Sequence, residues 1–276
     1  MNKITIGTCV YDDYDGLYFT LQSIRLHNPE ILDRIEFVVI NNNPTSKQGA
    51  EIPKLIRQIN QPITYLEFSR YNSPFLKGKI FDLANTEYVL VLDCHVLLEP
   101  GALKRLLDFY DAGKDEGNLL QGPLLYDDLK NISTHFDLSK WGSNMWGEWA
   151  LDKRGINKNN EPFEIPAQGM GLFTCRRDSW LGFNDAFRGF GGEGGYIHCK
   201  YRNAGKKALC LPFLRWLHRF NRPEGPKFTP YIEDRFRNYM IGFKEIGRDT
   251  NEVVKMFKDK VSNEYINKIK KELKIT

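Results

Sequence analysis

Short apolar runs and helical stripes alternate along the first third of the chain. Residues 4–10 form an apolar run of strand length, and Leu17, Leu21, Ile24 and Leu26 then recur on the faces of a helix. A second apolar run at 35–40 is stopped by the turn cluster Asn41-Asn42-Asn43-Pro44. Ile52, Leu55, Ile56 and Ile59 predict another helix, 63–68 a strand, 75–84 a helix, and 88–92 a continuous β-rich run ending at Asp93. Strands alternating with helices predict βαβ units and a largely parallel sheet, with ligands held at the carboxyl ends of the strands.

From about 119 to 167 the pattern loses its period. Trp141, Trp146 and Trp149 sit there among Asn and Lys residues, which predicts loops and short strands covering a substrate site. Residues 171–175 read as a strand, 192–204 as a glycine-led helix, and 208–211 as a strand ahead of His218. Two amphipathic helices, at about 232–246 and 252–273, finish the chain. The expectation is one α/β catalytic domain over 1–228 with a helical extension over 229–276 packed on it.

Composition narrows this picture only slightly. A chain of 276 residues with 41% hydrophobic and 27% charged residues builds one ordinary globular core. The formal charge of +4 permits a polyanionic partner without requiring one. Five scattered cysteines without a CxxC pair predict reduced thiols, hence a cytoplasmic protein. The amino terminus enters a strand at once rather than a signal peptide, and no apolar stretch is long enough to cross a bilayer.

The sharpest chemical feature is Asp93-Cys94-His95, directly after a buried-looking strand. Residues two apart in extended chain project to one side, so Asp93 and His95 can grip one ion. A carboxylate oxygen and an imidazole nitrogen suit Mn²⁺ (or Mg²⁺). The plainer reading is a strand-end Asp capping the next turn beside a partly buried His. Glu193, flanked by Gly191, Gly192, Gly194 and Gly195, is a carboxylate that substrate and backbone can approach closely. It is the candidate acceptor-side residue, either accepting a proton or positioning a hydroxyl, and Asp185 is the alternative.

Five segments, in order over residues 3–222, carry a resemblance. They are Thr5-Ile6-Gly7-Thr8-Cys9-Val10-Tyr11, Val38-Val39-Ile40-Asn41-Asn42-Asn43, 84–95 ending in Asp93-Cys94-His95, Gly169-Met170-Gly171-Leu172-Phe173, and Phe190-Gly191-Gly192-Glu193. Together they resemble glycosyltransferases of the GT-A fold, family 2-like, with motifs similar to polypeptide N-acetylgalactosaminyltransferases and β-1,4-galactosyltransferases. The resemblance implies a Rossmann-like α/β sheet and a metal-dependent hexosyl- or N-acetylhexosaminyltransferase using a nucleotide-sugar donor, most naturally a UDP-sugar. It implies a metal held by Asp93, His95 and His218. It sets Thr8, Val10, Tyr11, Asn41 and Lys77 around the nucleotide, with Gly171 and Arg219 beside the donor. Trp146, Gly169 and Glu193 would shape sugar choice. The sequence departs from the pattern at Gly194, where inverting family 2 enzymes usually carry Asp, and at Asn41, where a uridine-contacting Asp is common. Segment 215–227, with Arg215, Arg219, Arg222 and Lys227 among aromatics, reads as a cationic lid.

The acceptor is open: a glycan, a lipid-linked sugar, a protein, or a hydroxylated base in DNA. The DNA reading draws on Arg235-Phe236-Arg237-Asn238-Tyr239 and the lysine-rich stretch 268–274. A metal-dependent hydrolase would need a denser His/Asp cluster than five histidines supply. A nucleotidyltransferase would need a basic glycine-rich loop after the first strand, where this chain has acidic Tyr11-Asp12-Asp13-Tyr14-Asp15-Gly16.

Overall fold

The computed structural model describes residues 3–71, 73–222, 225 and 227–275. Four parallel strands come first: β1 (Ile4–Val10), β2 (Ile35–Asn41), β3 (Ile63–Glu67) and β4 (Tyr88–Asp93), joined through α1 (Tyr14–His27), α2 (Ile52–Gln58) and α3 (Lys77–Leu83). After β4 come β5 (Val96–Leu98), α4 (Ala102–Asp111), β6 (Leu119–Gln121), β7 (Leu124–Leu125) and β8 (Ile132–Ser133). A hairpin follows, β9 (His135–Gly142) with β10 (Met145–Ala150), then β11 (Phe163–Glu164) and β12 (Leu172–Arg176). The chain ends in α5 (Glu193–Asn203), β13 (Ala208–Cys210), β14 (Trp216–His218), α6 (Ile232–Glu245), α7 (Thr250–Phe257) and α8 (Asn263–Glu272).

The main sheet runs β11-β13-β6-β12-β4-β1-β2-β3. Its predicted parallel half is present, and β12 enters antiparallel beside β4. Side chains alternate along these central strands, so both faces are apolar. Tyr88, Leu90 and Leu92 face a core shared with α1, α2 and α4, while Val89 and Val91 face a second core with α3, α5 and the C-terminal helices. The result is a three-layer α/β architecture.

The expected single helix over 252–273 is a correction: it is two helices, α7 and α8. Ser262 accepts the Tyr265 N–H as the cap of α8, and buried Val261 anchors the break. Leu26, counted among the helix faces, is 75% exposed. The irregular middle contains a regular hairpin, β9–β10, whose Trp146 is buried against α5 and α6. A four-stranded accessory sheet, β5-β14-β7-β8, sets β14 antiparallel to β5 with His218 opposite Val96. No helix among the described residues is long and apolar enough to cross a membrane.

Candidate functional site

A cleft of about 910 Å³ opens beyond the carboxyl ends of β1 and β4, lined also by β9–β10 and by Arg219, Phe220, Arg222, Lys227, Phe228 and Pro230. Strand pairing assembles its chemistry. Parallel register sets Cys9 beside Asp93. Antiparallel β12 delivers Gly171, whose carbonyl accepts the Asp93 N–H at 2.9 Å. The β5–β14 pair carries His218 to His95, and the Arg219 N–H donates to the His95 carbonyl at 3.2 Å.

Asp93, His95 and His218 converge as the sequence predicts. The two imidazole Nε2 atoms are 3.2 Å apart, and His218 Nε2 lies 3.2 Å from Asp93 Oδ2. The other oxygen, Oδ1, is 2.7 Å from Lys77 Nζ, which also donates to the Met170 carbonyl. Burial alone would raise the Asp93 pKa, but the Lys77 ammonium and the His218 and His95 imidazoles hold it far below the usual carboxylate range. Lys77 is itself buried, which disfavours its charge, yet Asp93 keeps it protonated. Lys77 is therefore the buried counter-cation of Asp93 rather than a solvated lysine at a helix start.

One carboxylate oxygen and two imidazole nitrogens within 4.8 Å of one another form a donor set fit for a divalent ion of the Mn²⁺/Mg²⁺ type. A second cluster, Asp13, Cys94 and His95, shares His95 through its other nitrogen. It is the poorer metal seat. Burial pushes the Cys94 thiol well above its ordinary value, a soft sulfur suits Mn²⁺ or Mg²⁺ less than oxygen and imidazole donors do, and Asp13 Oδ2 already engages His95 Nδ1 at 2.8 Å. On the opposite ring atom, Arg222 Nη1 donates to His95 Nε2 at 2.7 Å.

Glu193 opens α5 and is 9% exposed, with its Oε2 buried and unpartnered among the described residues. Burial raises its pKa, partly offset by its own backbone N–H and by Lys77. Gly191 and Gly192 hold φ near 100°, a conformation that suits glycine. Asn238 of α6 bonds the Gly191 carbonyl and both backbone groups of Arg188, fixing this loop.

Val10, Tyr11 and Gly171 line the cleft as expected, as do Arg219 and Gly169. Three predicted contacts do not. Thr8 is two residues inside β1 and fully covered, short of the cleft. Asn41 is buried and bonds the Gly49 carbonyl, Tyr65 Oη and the Asn43 N–H, so it shapes its own turn, and Asn42 reaches the cleft instead. Asp185 is exposed and outside the cleft, because Phe183 and Phe187 anchor its segment on Phe75 and leave position 185 facing outward. Trp146 is core; Trp149 and Phe136 of the hairpin face the cleft.

In the lid segment, Arg219, Arg222 and Lys227 line the cleft, whereas Arg215 turns away to the Ile156 carbonyl. Pro223, Glu224 and Pro226 of that segment lie outside the described residues. Sequence reasoning missed Asp13 and the Lys77–Asp93 pair. The acidic 11–16 loop was a signal for the first, and nothing in the spacing of strand and helix ends was a signal for the second.

None of the curated proteins matches the chain. Among solved structures, it is similar to GalNAc-T7, crystallised with UDP, GalNAc and Mn²⁺, at 16% identity and a TM-score of 0.65, covering 93% of this chain and 54% of that one. It thus spans about half the length of that relative. It is also similar to the mannosyltransferase PcManGT of Pyrobaculum calidifontis, in complex with GDP-Man and Mn²⁺, at 13% identity and a TM-score of 0.57, covering 98% and 79%. Residues 1–349 of S. aureus TarS align at 12% identity and a TM-score of 0.51, covering 92% and 69%. These likenesses carry the GT-A fold. A sequence model, Glycosyl transferase family 2, matches residues 5–180, well over half of the chain, and the chain therefore belongs to that family.

Proposed function

We propose that this glycosyltransferase moves a sugar from a nucleotide-diphosphate sugar, a UDP-sugar as the leading candidate, to an acceptor hydroxyl with a divalent metal held by Asp93, His95 and His218. The convergence of those three side chains in one cleft, with Glu193 in its wall, is the observation that carries this reading. A bound Mn²⁺ or Mg²⁺ supplies Lewis-acid neutralisation of the diphosphate leaving group. Lys77 keeps Asp93 ionised and oriented; Arg219 and Arg222 line the cleft beside the imidazoles, where an anionic diphosphate gains charge-assisted hydrogen bonds. Val10, Tyr11 and Asn42 border the nucleoside end. Glu193, with a raised pKa and an unpartnered oxygen, receives or orients the acceptor hydroxyl.

The DNA-acceptor reading loses one of its two supports, because Phe236 and Tyr239 are core residues and Arg237 bonds the Ala186 carbonyl. The cleft-facing aromatics Phe136 and Trp149 favour a sugar-bearing acceptor.

The test is nucleotide release from a panel of UDP- and GDP-sugars with Mn²⁺, with and without EDTA, alongside Asp93→Ala. Metal-dependent release from one donor, lost in the variant, is the expected result. Calorimetry showing no metal-assisted binding of UDP or GDP would overturn the reading.

A further inference from the structure

We propose that Asp13 is a positioning residue that decides which nitrogen of His95 is offered to the metal; the inference rests on the metal reading above. Asp13 uses both carboxylate oxygens. Oδ2 lies 2.8 Å from His95 Nδ1, and Oδ1 accepts the Gly16 N–H at 3.1 Å while the Asp13 carbonyl accepts the Leu17 N–H. It is thus the N-cap of α1 and the partner of a ligand at the same time.

An ionised carboxylate only accepts hydrogen bonds, so His95 Nδ1 must carry the proton and Nε2 must present its lone pair. The other side of the ring agrees independently. Arg222 is a guanidinium, which only donates, and its Nη1 meets Nε2 at 2.7 Å. Both neighbours therefore select one tautomer, the one whose free nitrogen faces Asp93 and His218.

The scaffold makes this contact rigid. Two turns along α1, Thr20 Oγ1 bonds the Cys94 and Val96 carbonyls and accepts the Val96 N–H, so the helix is stapled to the segment bearing His95. Gly16 presses close as well: a Cβ there would lie 2.9 Å from the Cys94 carbonyl oxygen. Among the described residues His218 has no such partner, since its Nδ1 is buried without a hydrogen bond. The pair is asymmetric, and the orientation of His95 is set by a carboxylate that lines the cleft and engages Nδ1, the nitrogen opposite the one shared with Asp93 and His218.

Two variants separate this role from helix capping. In Asp13→Asn the amide offers an acceptor to only one of the two donors. Asp13→Ser keeps a capping oxygen and removes the carboxylate from His95. Nitrogen-15 histidine spectra of the metal-free full chain report the tautomer, calorimetry with MnCl₂ reports affinity, and thermal melts report folding. The expected result is a wild-type Nδ1–H tautomer that both variants disturb, with Mn²⁺ bound roughly 10–100-fold more weakly at near-native melting temperature. An unchanged tautomer and an affinity within about twofold of wild type would overturn the role of Asp13. Wild-type protein with the Nδ1–H tautomer but no Mn²⁺ uptake would instead overturn the metal reading, and with it the purpose assigned to the lock.

Discussion

Asp93 divides its two oxygens between partners of different kinds, one toward the buried Lys77 ammonium and one toward the paired imidazoles. Removing the ammonium leaves a largely covered carboxylate uncompensated. Lys77→Met should therefore cost ~3 kcal/mol of unfolding free energy in urea, less when Mn²⁺ is present to supply the missing charge. Acid should act on the same pair. The folded-state pKa of Asp93 is depressed, so its contribution is present above the ordinary carboxylate value near ~4 and is lost as pH falls below it. Unfolding free energy measured from pH 5 downward should drop more steeply in wild type than in Asp93→Asn. At this scale the sequence picked out side chains that the fold brings into one cleft, Asp93, His95, His218 and Glu193. It read poorly where a side chain's direction decides. Thr8 and Asn41 have the right chemistry one or two positions from the cleft, and only the end of the strand tells that Val10 and Asn42 reach it. Lys77 shows the same limit, because the first turn of a helix is exposed or buried according to what packs over it.

At the scale of elements, the loop before α5 is the point where backbone geometry and packing coincide. Gly192 holds φ at 101°, and a Cβ there would sit 3.0 Å from the Cβ of Asn238 on α6. Gly192→Ala should lower stability by about 1–3 kcal/mol and reduce transfer more than donor binding, read as a fall in turnover with a nearly unchanged nucleotide affinity. Strand and helix periods made the first four strands and α5 legible. The C-terminal pattern ran through 252–273 without a break because Val261 keeps helical spacing while serving as the anchor of a turn. The β9–β10 hairpin read only as loops and short strands because both of its faces are mixed: Trp146 goes into the core, whereas Trp149 and Glu148 face the cleft. Alternation fails as a signal when each face of a ribbon has something to cover.

Across the whole molecule, the sheet separates two apolar cores, and the C-terminal helices belong to one of them. Phe236, Tyr239, Met240, Phe243 and Phe257 share a core with Val89, Val91, Trp146 and Tyr196, and Tyr239 Oη accepts the Trp146 N–H. A chain ending at residue 228 would expose this surface. It should be recovered largely insoluble, or as a species lacking a cooperative thermal transition, whereas a separable appendage would leave the melt intact. The general architecture was legible from alternation alone, but this dependence was not, since an amphipathic helix does not reveal which apolar face it will meet. The ends of the β9–β10 hairpin also touch each other, with the Thr134 N–H bonded to the Ala150 carbonyl at 2.9 Å. For an engineer this is a natural graft junction. A foreign ribbon that retained Trp146 for the core and the backbone N–H at position 136 for the Ala167 carbonyl would leave β4 and β14 untouched while presenting a new surface to the cleft.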